Sequence, residues 1–389
     1  MLIVVLFTSM SRKAIIVLIL VLLAAAFAFA FSFFKIGSLP KRLKDIPQAI
    51  PQKENVESNE ENRDTAPIWE IAANLEVPWA LAFLPDGSLI VTERKGTVRL
   101  IDKNGNLIKD PVATIAVKQI AESGLHGITL HPDFNVNHFL YLYYTYSSNG
   151  QNTLNRVSRF VFENNTLSNE TVIVDTIPGA QFHDGGRIKF GPDKKLYITT
   201  GDALEPSLAQ DTNSLAGKIL RVNDDGSPVS TNPFTSRVYS YGHRNPQGIT
   251  WDDTGRLWET EHGQTNTDEL NRIEPGKNYG WPVIRGAESQ KGLESPIEQS
   301  GQNTWAPAGA AYLNGSIFFA GLRGQALFEA KIENGKVALL EHFKGELGRI
   351  REVIVGPDDM LYITTSNRDG RGIPLPGDDK ILRVNPQKL

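Results

Sequence analysis

The chain has 389 residues, 40% hydrophobic and 22% charged, which is enough apolar material for one large domain or two smaller ones and too much for a disordered chain. A formal net charge of −4, with no long Lys/Arg run, excludes a general attraction to nucleic acid or other polyanions. The absence of Cys removes disulfides, thiolate catalysis and Cys-based zinc or iron–sulfur sites, and the seven His form no HExxH pair.

In chain order the first feature is an apolar run from Ala14 to Phe34, broken only by Ser32. As a helix rising 1.5 Å per residue it measures about 31 Å, enough to cross a bilayer core. Arg12 and Lys13 precede it as in a signal peptide. The apolar part of a cleaved signal is roughly 7–15 residues, so the length favours a retained anchor over cleavage after Ala28-Phe29-Ala30. Lys35, Lys41, Arg42 and Lys44 follow, and the positive-inside rule alone would put that side in the cytoplasm. The chemistry of the domain, below, argues for the outside, so the expected location is extracytoplasmic, periplasmic or cell-surface. From Asp45 to Ala66 the chain is poor in large apolar residues and reads as a disordered spacer. The expected organisation is therefore a hydrophobic segment over 1–34, a linker over 35–66 and a folded domain over 67–389.

From Trp79 a unit recurs: a short apolar strand, a turn, a second β-rich strand, a polar loop and a third strand carrying Arg. The units are WALAFLPDGSLIVTER, GITLHPDFNVNHFLYLYYTY, GRIKFGPDKKLYITTGD, GITWDDTGRLWETEHG, GAAYLNGSIFFAGLRG and IREVIVGPDDMLYITTSN. Their turns fall at Asp86, Asp133, Asp193, Asp253, Asn314 and Asp358, a spacing that suits four strands per unit. Helical periodicity is nearly absent. Units that cannot bury both faces alone are satisfied by radial packing, so the sequence predicts an all-β fold, a six-bladed β-propeller, with a strand over Ile68 to Leu75 completing the C-terminal blade.

Propeller function gathers in the loops at one end of the channel. Four loops carry polar residues that a turn does not need. Phe182-His183-Asp184-Gly185-Gly186-Arg187 offers a His suited to accept a proton near neutral pH, and Asp202 could orient its ring, although two such residues could equally cap neighbouring loops. In Tyr241-Gly242-His243-Arg244-Asn245-Pro246, a His-Arg-Asn run before a buried strand is costly unless it meets an anion or one another. Strand alternation puts Arg349 and Arg351 on one face, a fork for carboxylates or an exposed strand end. Glu261-His262-Gly263-Gln264, with Asp268, Glu269 and Asn271, is oxygen-rich and suits a hard cation or simple solvation.

Taken together, GHRNPQG, the HxGGR loop, EHG followed by DELN and NYGWP (Asn278 to Pro282), and GLHGITLHPDF (Gly124 to Phe134) resemble the soluble aldose and glucose dehydrogenases that depend on pyrroloquinoline quinone (PQQ). The resemblance spans all six units. It implies a propeller that oxidises aldose sugars with PQQ and calcium. It implies His183 as the base for the anomeric hydroxyl, Asp202 as its orienter, and Arg244 as the cation facing the quinone oxygen. Asn245, His262, Arg349 and Arg351 would contact the cofactor. Gly263 and Gln264 would ligate the cofactor's calcium through carbonyls, while Glu269 and the carbonyl of Tyr279 fall where a structural calcium is bound.

Departures bear on the substrate. Glu122 stands where relatives commonly carry Gln near the sugar, His126 where an aliphatic residue is usual, and Gln264 where Pro is frequent. Trp305 falls near an aromatic of the substrate mouth, and the Lys that glucose-specific members place on the cofactor has no matching Lys here, leaving Arg323 as the candidate for its place. The expectation is aldose sugars broadly, with an electron acceptor the sequence does not name. Two rivals remain: a calcium lactonase, which needs axial side-chain carboxylates and no Arg pair, and a ligand-binding propeller, which would tolerate loss of His183 or Arg244.

Overall fold

A computed structural model describes residues 66–333 and 336–389. The hydrophobic segment and most of the linker expected before Ala66 lie outside the described residues. Among those described, no helix is long and apolar enough to cross a membrane.

The chain forms six four-stranded antiparallel sheets. Blade 1 comprises Pro78–Phe83, Leu89–Glu93, Thr97–Ile101 and Ala113–Thr114, and blade 2 Leu125–Leu130, Phe139–Tyr146, Leu154–Glu163 and Thr166–Pro178. Blade 3 comprises Ile188–Phe190, Leu196–Thr200, Lys218–Val222 and Val238–Tyr241, and blade 4 Pro246–Trp251, Leu257–Glu261, Glu269–Ile273 and Glu298–Gln299. Blade 5 comprises Pro307–Leu313, Ser316–Gly321, Ala326–Glu333 and Lys336–His342. Blade 6 takes Ile350–Val355, Leu361–Thr365 and Ile381–Val384 from the end of the chain and Ile68–Ala72 from its beginning. Ile68 pairs with Val384 and Glu70 with Leu382, so the first described strand closes the ring as expected. First strands of successive blades touch one another around the axis, except from blade 3 to blade 4, where the second strand of blade 3, Leu196–Thr200, meets Pro246–Trp251. They do so closely: a Cβ on Gly248 would lie 2.3 Å from the carbonyl oxygen of Ala308.

The apolar faces explain the radial arrangement. Each hydrophobic cluster straddles two neighbouring blades, as with Trp79, Ile90, Leu125 and Leu142 between blades 1 and 2, or Tyr362, Ile381, Leu81 and Val91 between blades 6 and 1. A single blade leaves both faces uncovered, and only its neighbours bury them.

The repeated turn residues have a defined task. Asp193 accepts a bond from Arg221 Nε at 2.8 Å and Asp358 one from Arg383 Nε at 2.7 Å, tying a turn to the third strand of its blade. In blade 4 the bonding turn carboxylate is Asp252 rather than Asp253, and it ties the turn to the second strand, through Arg256 Nε at 2.7 Å and Trp258 Nε1 at 2.9 Å. In blade 2 the turn at Asp133 opens into one helical turn, Phe134–Asn137.

Candidate active site

The principal candidate residues sit at one end of the propeller, either just before a blade's first strand (Glu122, His183, Arg244, Arg349) or just after its second (Asp202, His262). The first strands of blades 1, 2, 4, 5 and 6 shift register near that same end, between Pro78 and Ala80, Leu125 and Ile128, Pro246 and Gly248, Pro307 and Ala310, and Ile350 and Glu352. Such irregularities re-aim side chains, here at the channel mouth.

His183 Nδ1 lies 2.7 Å from Asp202 Oδ1. The other oxygen of Asp202 accepts Trp281 Nε1 at 2.8 Å, and Asp202 is buried. An ionised carboxylate only accepts, so the shared proton belongs on Nδ1, and Nε2 is left with a lone pair. His183 adopts a left-handed backbone, φ 63°, over Gly201, where a Cβ would come within 1.9 Å of the His183 carbonyl oxygen. Glycine at 201 is what allows the loop to approach the strand end.

Arg244 donates through one guanidinium nitrogen to the carbonyls of His262 at 3.1 Å and Gly263 at 2.7 Å, and its guanidinium carbon stands 5.3 Å from the Trp281 ring centre. Its own carbonyl accepts the N–H of Asp202 at 2.8 Å. Asn245 is buried and accepts the N–H of Gly185 at 3.0 Å, joining the loops of His183 and Arg244.

Beside this cluster lies a cavity of about 220 Å³ lined by Arg94, Glu122, Gln247, His262, Arg351 and Asp369, among others. Arg349 and Arg351 do share one face, as expected, but the fork is occupied by the protein's own carboxylate. Asp369 Oδ2 lies 2.8 Å from Arg349 Nε and 3.4 Å from a terminal nitrogen of Arg351. Burial opposes the charge of Asp369, yet Arg351 and Arg349 outweigh it and hold its pKa below the ordinary value. Beneath them Arg187 of blade 3 is ion-paired with Glu352 of blade 6, a tie across the axis that also donates to the Gln247 carbonyl at 2.9 Å.

The cavity suits a polar anion. His262 Nε2, Gln247 Oε1 and Arg94 Nε are buried without hydrogen-bond partners among the described residues, and three of the lining residues, Arg94, Arg351 and Arg371, carry guanidinium groups. Burial pulls the pKa of His262 down to about 4, so its ring is neutral and can either donate or accept.

A second concentration of oxygen ligands lies in blade 4. Glu261 and Glu269 are register partners on adjacent strands, and burial raises the pKa of each to about 8. Glu259 Oε1 and Asn271 Oδ1 are buried without partners, and one ligand atom each from His243, Glu259 and Glu261 lies within 4.8 Å of the others. Buried carboxylates so close together fit a divalent cation, which would let them ionise. Gly263, Glu269 and Tyr279, expected at two separate calcium sites, line one small void together with Glu261. The side chain of Gln264 lies outside it, exposed and bonded to Arg285.

Two expected residues fall elsewhere. Trp305 packs at 5.4 Å on Phe319 and 5.8 Å on Phe328 and is only 5% exposed, so it belongs to the core of blade 5 and not to the mouth. Its neighbour Ala306 has a left-handed backbone, and the N–H groups of both residues are held by Asp268, which turns the indole inward. Arg323 is exposed in the turn before Ala326–Glu333, with no ion pair among the described residues. Conversely Arg94, Asp369, Arg371 and Trp281 escaped the sequence reading. The first two follow second strands in TER and SNRD, the position that TGD and EHG hold in blades 3 and 4, and that shared position was the available signal.

Comparison with known proteins agrees. The Streptomyces coelicolor aldose sugar dehydrogenase, solved in a PQQ-bound form, is 41% identical with a TM-score of 0.77, covering 81% of this chain and 96% of that one. The aldose sugar dehydrogenase of Escherichia coli is 28% identical over 80% of this chain and 91% of its own. The quinoprotein glucose dehydrogenase B of Acinetobacter calcoaceticus is 31% identical over 57% of this chain and 53% of its own. The family model for glucose/sorbosone dehydrogenases matches residues 75–379, from the end of the ring-closing strand to the last blade, and the chain belongs to that family.

Proposed function

We propose that this protein oxidises the anomeric hydroxyl of aldose sugars to the lactone, using PQQ and calcium. The observation that carries the reading is the His183–Asp202 pair, 2.7 Å apart, beside an arginine-lined cavity. When bound, PQQ supplies an ortho-quinone able to take a hydride from the sugar's C1. His183 Nε2 accepts the hydroxyl proton, and Asp202 keeps the ring oriented and offsets the charge it gains. Trp281 fixes Asp202 in turn. Arg244, locked by two carbonyls, places a permanent cation where negative charge develops. Arg349, Arg351, His262 and Asn245 would hold the cofactor, the carbonyls of Gly263 and Gln264 would hold its calcium, and Glu269 with the Tyr279 carbonyl would hold a structural calcium. The lactonase and binding readings give no account of an unsatisfied, guanidinium-rich cavity beside a His–Asp pair.

Reconstitution tests this. Protein stripped of cofactor should reduce an artificial dye with aldoses only when PQQ and calcium are both added; sugar-dependent reduction without PQQ, or PQQ-independent lactone hydrolysis, would defeat the proposal. The apolar run over 14–34 further suggests a domain tethered outside the cytoplasm, so protease added to intact cells should release an active fragment starting near residue 60. Protection from that protease would reverse the orientation.

A further inference from the structure

Glu122 is held at three points. Its N–H donates to the Gln181 carbonyl at 3.0 Å, its own carbonyl meets His126 Nε2 at 3.0 Å, and its Oε1 accepts from Arg371. Oε2 has no hydrogen bond among the described residues, and the side chain is 23% exposed on the cavity wall.

Arg371 arrives from a different blade, 249 residues away in sequence. Its N–H donates to Asp369 Oδ1 at 2.9 Å, so the carboxylate that binds Arg349 and Arg351 also anchors its loop. Its guanidinium carbon stands 5.4 Å from the ring centre of Phe182, the residue before His183. Glu122, Phe182 and Arg371 all line the same cavity as His262. The ion pair thus forms a wall beside the His183–Asp202 pair.

We propose that Arg371 is a specificity-determining residue of the sugar subsite. It fixes Glu122 as a hydroxyl acceptor and offers its remaining N–H groups to a neighbouring sugar oxygen. The proposal rests on the sugar-oxidising reading above. Carboxylate and guanidinium are complementary here: one only accepts and the other only donates, so together they match two adjacent hydroxyls. The Phe182 ring on the same cavity wall suits the apolar side of a pyranose ring. The substrate class is a neutral aldose with vicinal free hydroxyls, and a sugar carrying a carboxylate at that position would meet Glu122. The pair is too exposed to matter much for the fold, so its removal should leave a folded protein.

The test compares wild type, Arg371→Gln, Glu122→Gln and the double variant as PQQ- and calcium-loaded full chains. Three quantities are measured: PQQ affinity by titration, kcat and KM for glucose, and calorimetric binding of 1,5-anhydroglucitol, which lacks the anomeric hydroxyl and cannot be oxidised there. In Arg371→Gln, KM and the anhydroglucitol Kd should both rise about tenfold, the usual worth of a hydrogen bond to a charged group. The value of kcat should stay within about twofold and PQQ affinity should not change, since a bond made equally in ground and transition states affects binding alone. The double variant should lose more than Glu122→Gln, because the bond from Arg371 to the sugar goes too, but less than the product of the two single losses, because the shared Arg371–Glu122 contact is removed only once. Unchanged KM and Kd would overturn the proposal, and so would a loss of PQQ affinity as large as the loss for sugar, which would make Arg371 a cofactor clamp. If the wild type oxidises glucose and Arg371→Gln matches it, only this inference falls; if the wild type neither oxidises sugar nor binds the anhydro sugar, the functional reading falls with it.

Discussion

His183 has its tautomer set by one contact with a buried carboxylate, and this makes its role separable from cofactor binding. His183→Ala should still bind PQQ, while single-turnover absorbance shows sugar oxidation slowed by about 10²–10⁴, the range for a positioned base. Asp202→Asn should cost less, because the imidazole keeps its place and loses only its orienting charge; a wild-type rate in His183→Ala would remove the base assignment. His126 plays a different part. It is buried, stacked 4.9 Å from Trp79 and 5.8 Å from Tyr143, and burial lowers its pKa from 6.5 to about 3. The unfolded chain therefore binds the extra proton between those values, so stability is full above the unfolded pKa and is lost as pH falls from 6.5 towards 3. His126→Leu should flatten this acid limb in pH-dependent urea unfolding. At neutral pH it should cost about 1 kcal/mol for the partner lost by the Glu122 carbonyl. An acid limb as steep as in the wild type would show that other groups carry it.

At the scale of single elements, the site is assembled from strand-end loops of different blades, and contacts between those loops do the positioning. Asp369, after the second strand of blade 6, holds both Arg349 and Arg351. Asp369→Asn should leave two buried guanidinium groups without their counter-charge and destabilise the cofactor-free protein by about 3 kcal/mol. PQQ carboxylates would restore that charge, so adding PQQ should raise Tm more in Asp369→Asn than in the wild type. Replacing both arginines with Ala in the Asp369→Asn background should weaken PQQ binding far more than it raises KM for sugar; an unchanged PQQ titration would remove the arginines from the cofactor site. Motif spacing made the arginines legible as a fork. It could not show the occupant, because Asp369 lies beyond another strand and meets them only when blade 6 is assembled.

At the largest scale, the described residues form a ring of six blades whose stability depends on closure. Ile68–Ala72 supplies the outer strand of blade 6, with Trp69 and Ala72 buried against it. Deleting the chain before Asn74 removes those contacts and bares the edge of Ile381–Val384. The truncated protein should lose about 3 kcal/mol or more in urea unfolding, the usual cost of removing a buried aromatic, and should aggregate more readily. An unchanged midpoint would mean that the ring does not depend on this strand. The sequence by itself determined the all-β class, the six blades, the strand that closes them and the loops bearing His183, Arg244 and His262. These rest on strand alternation and turn chemistry, which are local and repeat from blade to blade. Outer strands as short as Ala113–Thr114 and Glu298–Gln299 left no such pattern. Only the tertiary structure decided that Asp369 fills the arginine fork, that Trp305 turns into the core of blade 5, and that Arg371 reaches Glu122 across 249 residues. Those contacts depend on which loop ends converge around the axis, a property of the closed ring and of no single segment.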